Sequence, residues 1–215
     1  MIAERTVDAY GYCPRHGVPV LPEHACVACV ADRPPIDPSR RLNVGCGLWP
    51  LLYFTNLDES AQAIADVIVH VPPLPYDAGG LDEIYAGHFL EHLTPDEAEA
   101  FLADCYRCLV REGRIGIVVP DTRAIMGRWL SADPGDFVEY PAGVFHPVAD
   151  LTTICELFLY STVQESPHRW SYDLDTLGAT LQRAGFALTA PINRYHDHRI
   201  PVGAWYQCGW DAVKR

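Results

Sequence analysis

The sequence predicts an α/β fold: an open, mostly parallel sheet with helices on both faces and an antiparallel last strand, preceded by a small metal-binding module. Three observations predict it. From Arg41 onward, short β-prone apolar runs alternate with stretches of helical spacing, the pattern of strand, crossover and parallel strand. The first of these runs ends in the turn Leu42-Asn43-Val44-Gly45-Cys46-Gly47. Two glycines there let the backbone adopt φ > 0 and approach a ligand at the carboxyl end of a strand, although alone they also describe an ordinary tight turn. The first forty residues, in contrast, are rich in Pro, poor in large apolar side chains, and carry two closely spaced pairs of metal-ligand residues.

Composition sets the outer limits. With 215 residues, 49% hydrophobic and 20% charged, the chain can bury one sizeable core and carry a small appended module. No apolar stretch spans a bilayer, and Met1-Ile2-Ala3-Glu4-Arg5 has no apolar export core, so a cytoplasmic protein without membrane contact is expected. The net charge of -12 is unevenly spread: there is no Lys or Arg between Arg41 and Arg107, where eleven acids fall, among them Asp58, Asp66, Asp82, Glu91 and Asp104. Such a face repels phosphate backbones, so nucleic acid is an unlikely partner. It suits a cationic ligand, or simply keeps the surface soluble.

In the N-terminal module, residues 1–32, Cys13-Pro14-Arg15-His16 and Cys26-Val27-Ala28-Cys29 offer three thiolates and one imidazole. This set matches tetrahedral zinc, and a metal would supply stability that so small an apolar content cannot. With Cys13, His16, Cys26 and Cys29 all filled by protein, the zinc would be structural, in a short ribbon. Residues 33–40, with Pro34, Pro35 and Pro38, read as an extended linker to a domain over 41–215.

A second strand is expected over Tyr53–Asp58, ending in Asn56 and Asp58, where an acid can accept hydrogen bonds from ribose. The gap before it contains Pro50 and is too short for a helix. Asp66–Val71 is a third run, stopped by Pro72-Pro73-Leu74-Pro75. Leu81–Ala86 is a fourth and leads into Gly87-His88-Phe89-Leu90-Glu91-His92. A helix follows behind a capping box of Thr94, Pro95 and Glu97, with Ala98, Phe101, Leu102, Cys105, Cys108 and Leu109 on one face. The Cys105/Cys108 pair thus falls on the buried stripe and is expected to be core, not redox or metal chemistry. Glu112-Gly113 closes that helix; Arg114–Val119 is a fifth strand ending in Pro120-Asp121, and a helical stretch runs from Thr122 towards Leu130.

Residues 131–167 lack a strand pattern but hold a helix expected around Leu151–Tyr160, and His146. Asp173 caps a helix with Leu174, Leu177 and Leu181 on one face, ended by Gly185. Phe186–Ile192 and Trp205–Val213 are the last two strands, joined by a polar loop with His196-Asp197-His198.

Taken in order, Leu-Asn-Val-Gly-Cys-Gly (42–47), Asn-Leu-Asp (56–58), Pro-Leu-Pro-Tyr (73–76) and Leu-Asp-Glu-Ile-Tyr-Ala-Gly-His-Phe-Leu-Glu-His-Leu (81–93) resemble the class I S-adenosylmethionine-dependent methyltransferases. The run Tyr106–Asp121 and the series His168, Tyr172-Asp173, Leu177, Ala184-Gly185-Phe186 complete a resemblance that covers the chain from Arg41 on, most closely to the small bacterial type with a shortened glycine motif. It implies a Rossmann-like domain in which Gly45, Cys46 and Gly47, with Asn43 behind them, pass the methionine part of the cofactor. Asp58, with Asn56, would hold the ribose. Ala86, Gly87 and His88 would line the methyl end. The third glycine of the longer motif is missing, a Leu48–Phe54 loop stands where a helix is usual, and His70 and Val71 replace the acid often found near the adenine.

The methyl sulfonium is intrinsically reactive, so alignment supplies most of the acceleration; where the acceptor must lose a proton, His88 or His168 is the candidate base. His146 belongs to the same set, whereas His92 is expected to bond within the fold. The acceptor is expected to be a small molecule, a sugar or a peptide-like conjugate, covered by a variable segment over about 131–170 with Trp129, Phe145, Trp170 and Tyr172 as its apolar lid. Two alternatives stay open: a nucleic-acid or protein substrate docked through the ribbon, and a non-catalytic interaction module. Residues 1–40 hold five acids and four arginines and form no basic patch.

Overall fold

The computed structural model of the protein describes residues 38–131, 168–192 and 205–215. The chain divides after Asp37. The expected zinc ligands Cys13, His16, Cys26 and Cys29, His146 and Phe145, the Leu151–Tyr160 helix and the His196–His198 loop all lie outside the described residues.

Seven strands form one sheet: β1 (Arg41–Val44), β2 (Thr55–Asp58), β3 (Val67–Ile68), β4 (Leu81–Gly87), β5 (Leu109–Pro120), β6 (Phe186–Pro191) and β7 (Gln207–Lys214). Their order is β3-β2-β1-β4-β5-β7-β6. The pairs among β1 to β5 are parallel, and β7 runs antiparallel to both β5 and β6. The order reverses beside β1, with β2 and β3 on one side and β4 and β5 on the other. Val44 is opposite both Leu57 and Ala86, and Gly87 opposite Val118, so the carboxyl ends of β1, β2, β4 and β5 share one edge at the switch point.

Three helices are described: α1 (Pro95–Cys108), α2 (Thr122–Ser131) and α3 (Leu174–Arg183). The stripe Ala98, Phe101, Leu102, Cys105 and Cys108 of α1 is buried, as are Leu177 and Leu181 of α3, in one core with Leu42, Val44, Leu57, Ile84, Ile115, Ile117 and Val119. α1 packs on β5, and α3 on β6 and β7. Period-2 alternation sends Tyr85 and Val118 to the opposite face, where Leu51 and Phe54 cover them. On that face a loop does the covering expected of a helix.

The predicted capping box at Thr94 forms, and the predicted cap at Asp173 proves to be a capping box as well. The Thr94 N–H and hydroxyl donate to Glu97 Oε2 at 2.8 Å, and the Glu97 N–H donates back to Thr94 Oγ1 at 3.4 Å. Asp173 and Thr176 repeat the exchange at the start of α3. Thr94→Ala should lower stability by about 1 kcal/mol in urea unfolding, and an unchanged midpoint would mean that the cap contributes nothing.

Of the boundaries that differ from expectation, three have a visible physical reason. The helix α1 stops at Cys108, not at Glu112-Gly113, because Leu109 turns extended and pairs with Leu81, after which the register jumps to Glu83 opposite Arg114. The second strand starts at Thr55, since Tyr53 is held at φ 65°. β3 shrinks to Val67–Ile68: the Asp66 carboxylate is taken up by the Asn56 N–H and side-chain amide, at 2.8 and 3.2 Å. Cys46, Cys105, Cys108 and Cys208 are free thiols. Burial pushes the Cys105 thiol well up and that of Cys108 up to about 11, so the pair is inert core, as expected.

Candidate active site

The glycine turn bends back onto β2. Gly45 and Cys46 both donate from backbone N–H to Leu57 O, at 2.9 and 3.2 Å, and the Ile64 N–H donates to Gly47 O at 2.8 Å. The Gly47 N–H donates to Asp58 Oδ2 and the Ser60 N–H to Asp58 Oδ1, both at 2.8 Å. The acid at the end of β2 is thereby fixed against the turn at the end of β1. Gly45 stands at φ +68°, and a Cβ there would lie 2.7 Å from Cδ2 of Phe89, so only glycine fits between the turn and the segment after β4.

Behind the turn, Asn43 is fully buried and Asn56 nearly so. Asn43 Nδ2 donates to Asn56 Oδ1 at 2.9 Å, and the Leu51 N–H donates to the same oxygen at 2.7 Å. Asn56 Nδ2 reaches Leu51 O, Phe54 O and Asp66 Oδ2, each at 3.2 Å. These two amides therefore hold the 48–54 loop in place. Cys46 is equally buried, its thiol 3.7 Å from Gly47 O and from Ile64 O. Of the expected cofactor residues, Gly45, Gly47 and Asp58 form the edge, and Asn43, Cys46 and Asn56 support it.

At the end of β4, Ala86 is buried and His88 takes φ 52°, a left-handed conformation that a non-glycine residue seldom adopts. Its N–H donates to Val118 O at 2.8 Å. The ring stands with Nδ1 3.1 Å from Glu91 Oε1 and Nε2 3.4 Å from Gln207 Oε1 of β7. Glu91 lies in a 3-10 turn, Leu90–His92, and is buried. The chain at Arg169 and Trp170 docks there, both N–H groups donating to Glu91 O at 2.8 and 3.1 Å. That brings the His168 ring edge-on to His92, centroids 4.9 Å apart, with Nε2 4.0 Å from Glu91 Oε1.

Three histidines thus surround one buried carboxylate. Burial raises the Glu91 carboxyl, but the His88 hydrogen bond and the adjacent His88, His92 and His168 rings outweigh it and hold it below the ordinary carboxylate value. Burial pushes the His168 imidazole down to about 4 despite the pull of Glu91. Tyr172, expected in an apolar lid, is instead buried in the main core and bridges Asp121, while Trp170 is half exposed. Glu91 and Gln207 stand beside His88 in addition to the residues expected from the sequence. The spacing His88-x-x-Glu91-His92 was a readable signal for the first; none marked the second, which pairing of β7 with β5 delivers.

No protein-family model matches the chain, and no curated protein sequence matches it. Among solved structures it is similar to phosphoethanolamine N-methyltransferase 2 of Haemonchus contortus, in complex with S-adenosyl-L-methionine: 11% identity, TM-score 0.50, with 84% of this chain and 50% of that one covered. The chain thus spans about half the length of that protein. It is also similar to an S-adenosylmethionine-dependent methyltransferase of Aquifex aeolicus (14% identity, TM-score 0.49, 84% and 85% covered). A third, from Archaeoglobus fulgidus, has 17% identity and a TM-score of 0.48, with 83% and 88% covered. At these identities the likeness concerns the fold. The fold is that of the class I S-adenosylmethionine-dependent methyltransferases, an open seven-stranded sheet whose seventh strand is reversed.

Proposed function

We propose that the protein is an S-adenosylmethionine-dependent methyltransferase acting on a small-molecule, sugar or peptide-like acceptor. The observation that carries this reading is the Gly45–Gly47 turn tied to Asp58 at the switch point of the sheet. Each Asp58 oxygen accepts one backbone hydrogen bond and keeps lone pairs for ribose hydroxyls. The open edge at Gly47 admits the methionine part, Gly45 seats the turn against Phe89, and Gly87 and His88 border the methyl end. The cofactor supplies an electrophilic methyl group. What the protein adds is alignment, exclusion of water and, for an acceptor that must lose a proton, His88. Glu91 Oε1, 3.1 Å from Nδ1, and Gln207 Oε1, 3.4 Å from Nε2, fix the ring's orientation at the end of β4. The acidic stretch between Arg41 and Arg107 favours a cationic cofactor.

Cys13, His16, Cys26 and Cys29 are proposed to hold a structural zinc ion in the N-terminal segment. Among the described residues no helix is long and apolar enough to cross a membrane.

Calorimetric titration tests the central reading. S-adenosylmethionine should bind with a Kd of about 1 μM to 1 mM, the range of metabolite sites. Asp58→Ala should weaken it by more than about tenfold through loss of charge-assisted hydrogen bonds. No heat at millimolar cofactor would exclude the assignment.

A further inference from the structure

The cluster around Glu91 contains more than the orientation of His88 requires. Glu91 is 1% exposed, and among the described residues one of its oxygens is used by a side chain: Oε1 faces His88 Nδ1, while the buried Oε2 has no hydrogen-bond partner among them. An ionised carboxylate stripped of water and left with an empty oxygen is costly unless a cation or donor covers it. The ligand atoms of Glu91, His92 and His168 all lie within 4.8 Å of one another. They come from two distant parts of the chain. The Arg169 and Trp170 backbone bonds to Glu91 O, and the Arg169–Glu97 pair at 2.8 Å, clamp the His168 segment where its ring meets that of His92.

We propose that Glu91, His92 and His168 form a site for a divalent transition cation such as zinc or manganese. Two imidazoles and a carboxylate are a nitrogen–oxygen donor set suited to such ions, and three protein ligands leave coordination positions open. At bond lengths of about 2.1 Å the ligand atoms must stand about 3 to 3.5 Å apart, so the rings close in slightly as the ion enters. His88 then acts as the partner that orients Glu91 through Oε1, the supporting hydrogen bond that metal-ligating carboxylates usually have. Glu91 is buried, whereas His88 and His168 are partly exposed. If the protein is the proposed methyltransferase, a cation there selects an acceptor with an oxygen donor and lowers the pKa of its hydroxyl.

The test uses the full chain and Mn2+, which a thiolate-rich N-terminal set does not favour, followed by electron paramagnetic resonance without cofactor. One saturable Mn2+ per chain is expected, with nitrogen couplings from imidazole in the pulsed spectrum. Glu91→Gln and His168→Asn should each weaken binding by more than about tenfold. Absence of saturable binding, or bound Mn2+ without nitrogen coupling, would overturn the proposal, as would undiminished affinity in both variants. The spectrum of the unaltered protein decides even if a variant fails to fold. Cofactor calorimetry without metal is a separate measurement, so failure of the metal site and failure of the methyltransferase reading are distinguishable.

Discussion

Gly45→Val should abolish useful cofactor binding, raising the Kd for S-adenosylmethionine by more than about 100-fold. A left-handed backbone costs an ordinary residue about 1–2 kcal/mol, and a β-branched one more. Space adds to this, because a Cβ at Gly45 would lie 2.7 Å from Phe89 Cδ2 and 3.0 Å from Phe89 Cβ. Phe89 is itself wedged edge-on against Phe101, ring centroids 5.0 Å apart, so it does not yield cheaply. Whichever side gives way, either the turn or the His88–Phe89 segment leaves its position. Calorimetry alongside thermal unfolding measures both consequences. The double variant Gly45→Ala with Phe89→Ala removes the collision but keeps the backbone strain, and should recover part of the affinity. Binding by Gly45→Val within threefold of the unaltered protein would show that the turn is not where the cofactor lies.

Asn56→Leu should be the most destabilising single change on the sheet edge, at about 3–4 kcal/mol, or about 10 °C in Tm. Leucine has a similar volume but makes none of the five side-chain hydrogen bonds centred on this residue. Leu51 N and the Asn43 amide would be left buried without their acceptor, the situation in which the full desolvation cost appears. Denaturant unfolding followed by far-ultraviolet circular dichroism gives the number. A loss under about 1 kcal/mol would mean that the loop is held by its apolar contacts, Leu51 and Phe54 against Tyr85 and Val118, and that the amides are incidental.

The parts of the fold legible in the sequence were those governed by local rules. Capping at Thr94 and Asp173, the buried stripe from Ala98 to Cys108, and the start of β4 follow from spacing and from side chains that bond within a few residues. The missing helix after the glycine turn was legible for the same reason, since Pro50 and a short gap leave no room for one. What was not legible depends on partners distant in the chain. That Asn56 would be spent on residues 51, 54 and 66 is decided by how the loop folds over Tyr85, not by any motif. That His168 comes to lie beside Glu91 and His92 is likewise decided by packing between distant segments. Leu109 continues the helical stripe, yet pairing with Leu81 claims it for β5.

The absence of any Lys or Arg between Arg41 and Arg107 bears on turnover as well as on recognition. No helix follows β1, so no positive helix end offsets the acids around the turn. A methyl transfer from the sulfonium converts a cationic cofactor into a neutral thioether while the protein's own charge stays the same. In a negative field, charge loss weakens the hold on the spent molecule relative to the fresh one. On the proposed function, exchange of product for new cofactor is then favoured electrostatically at each cycle, with a preference that fades as salt screens the field.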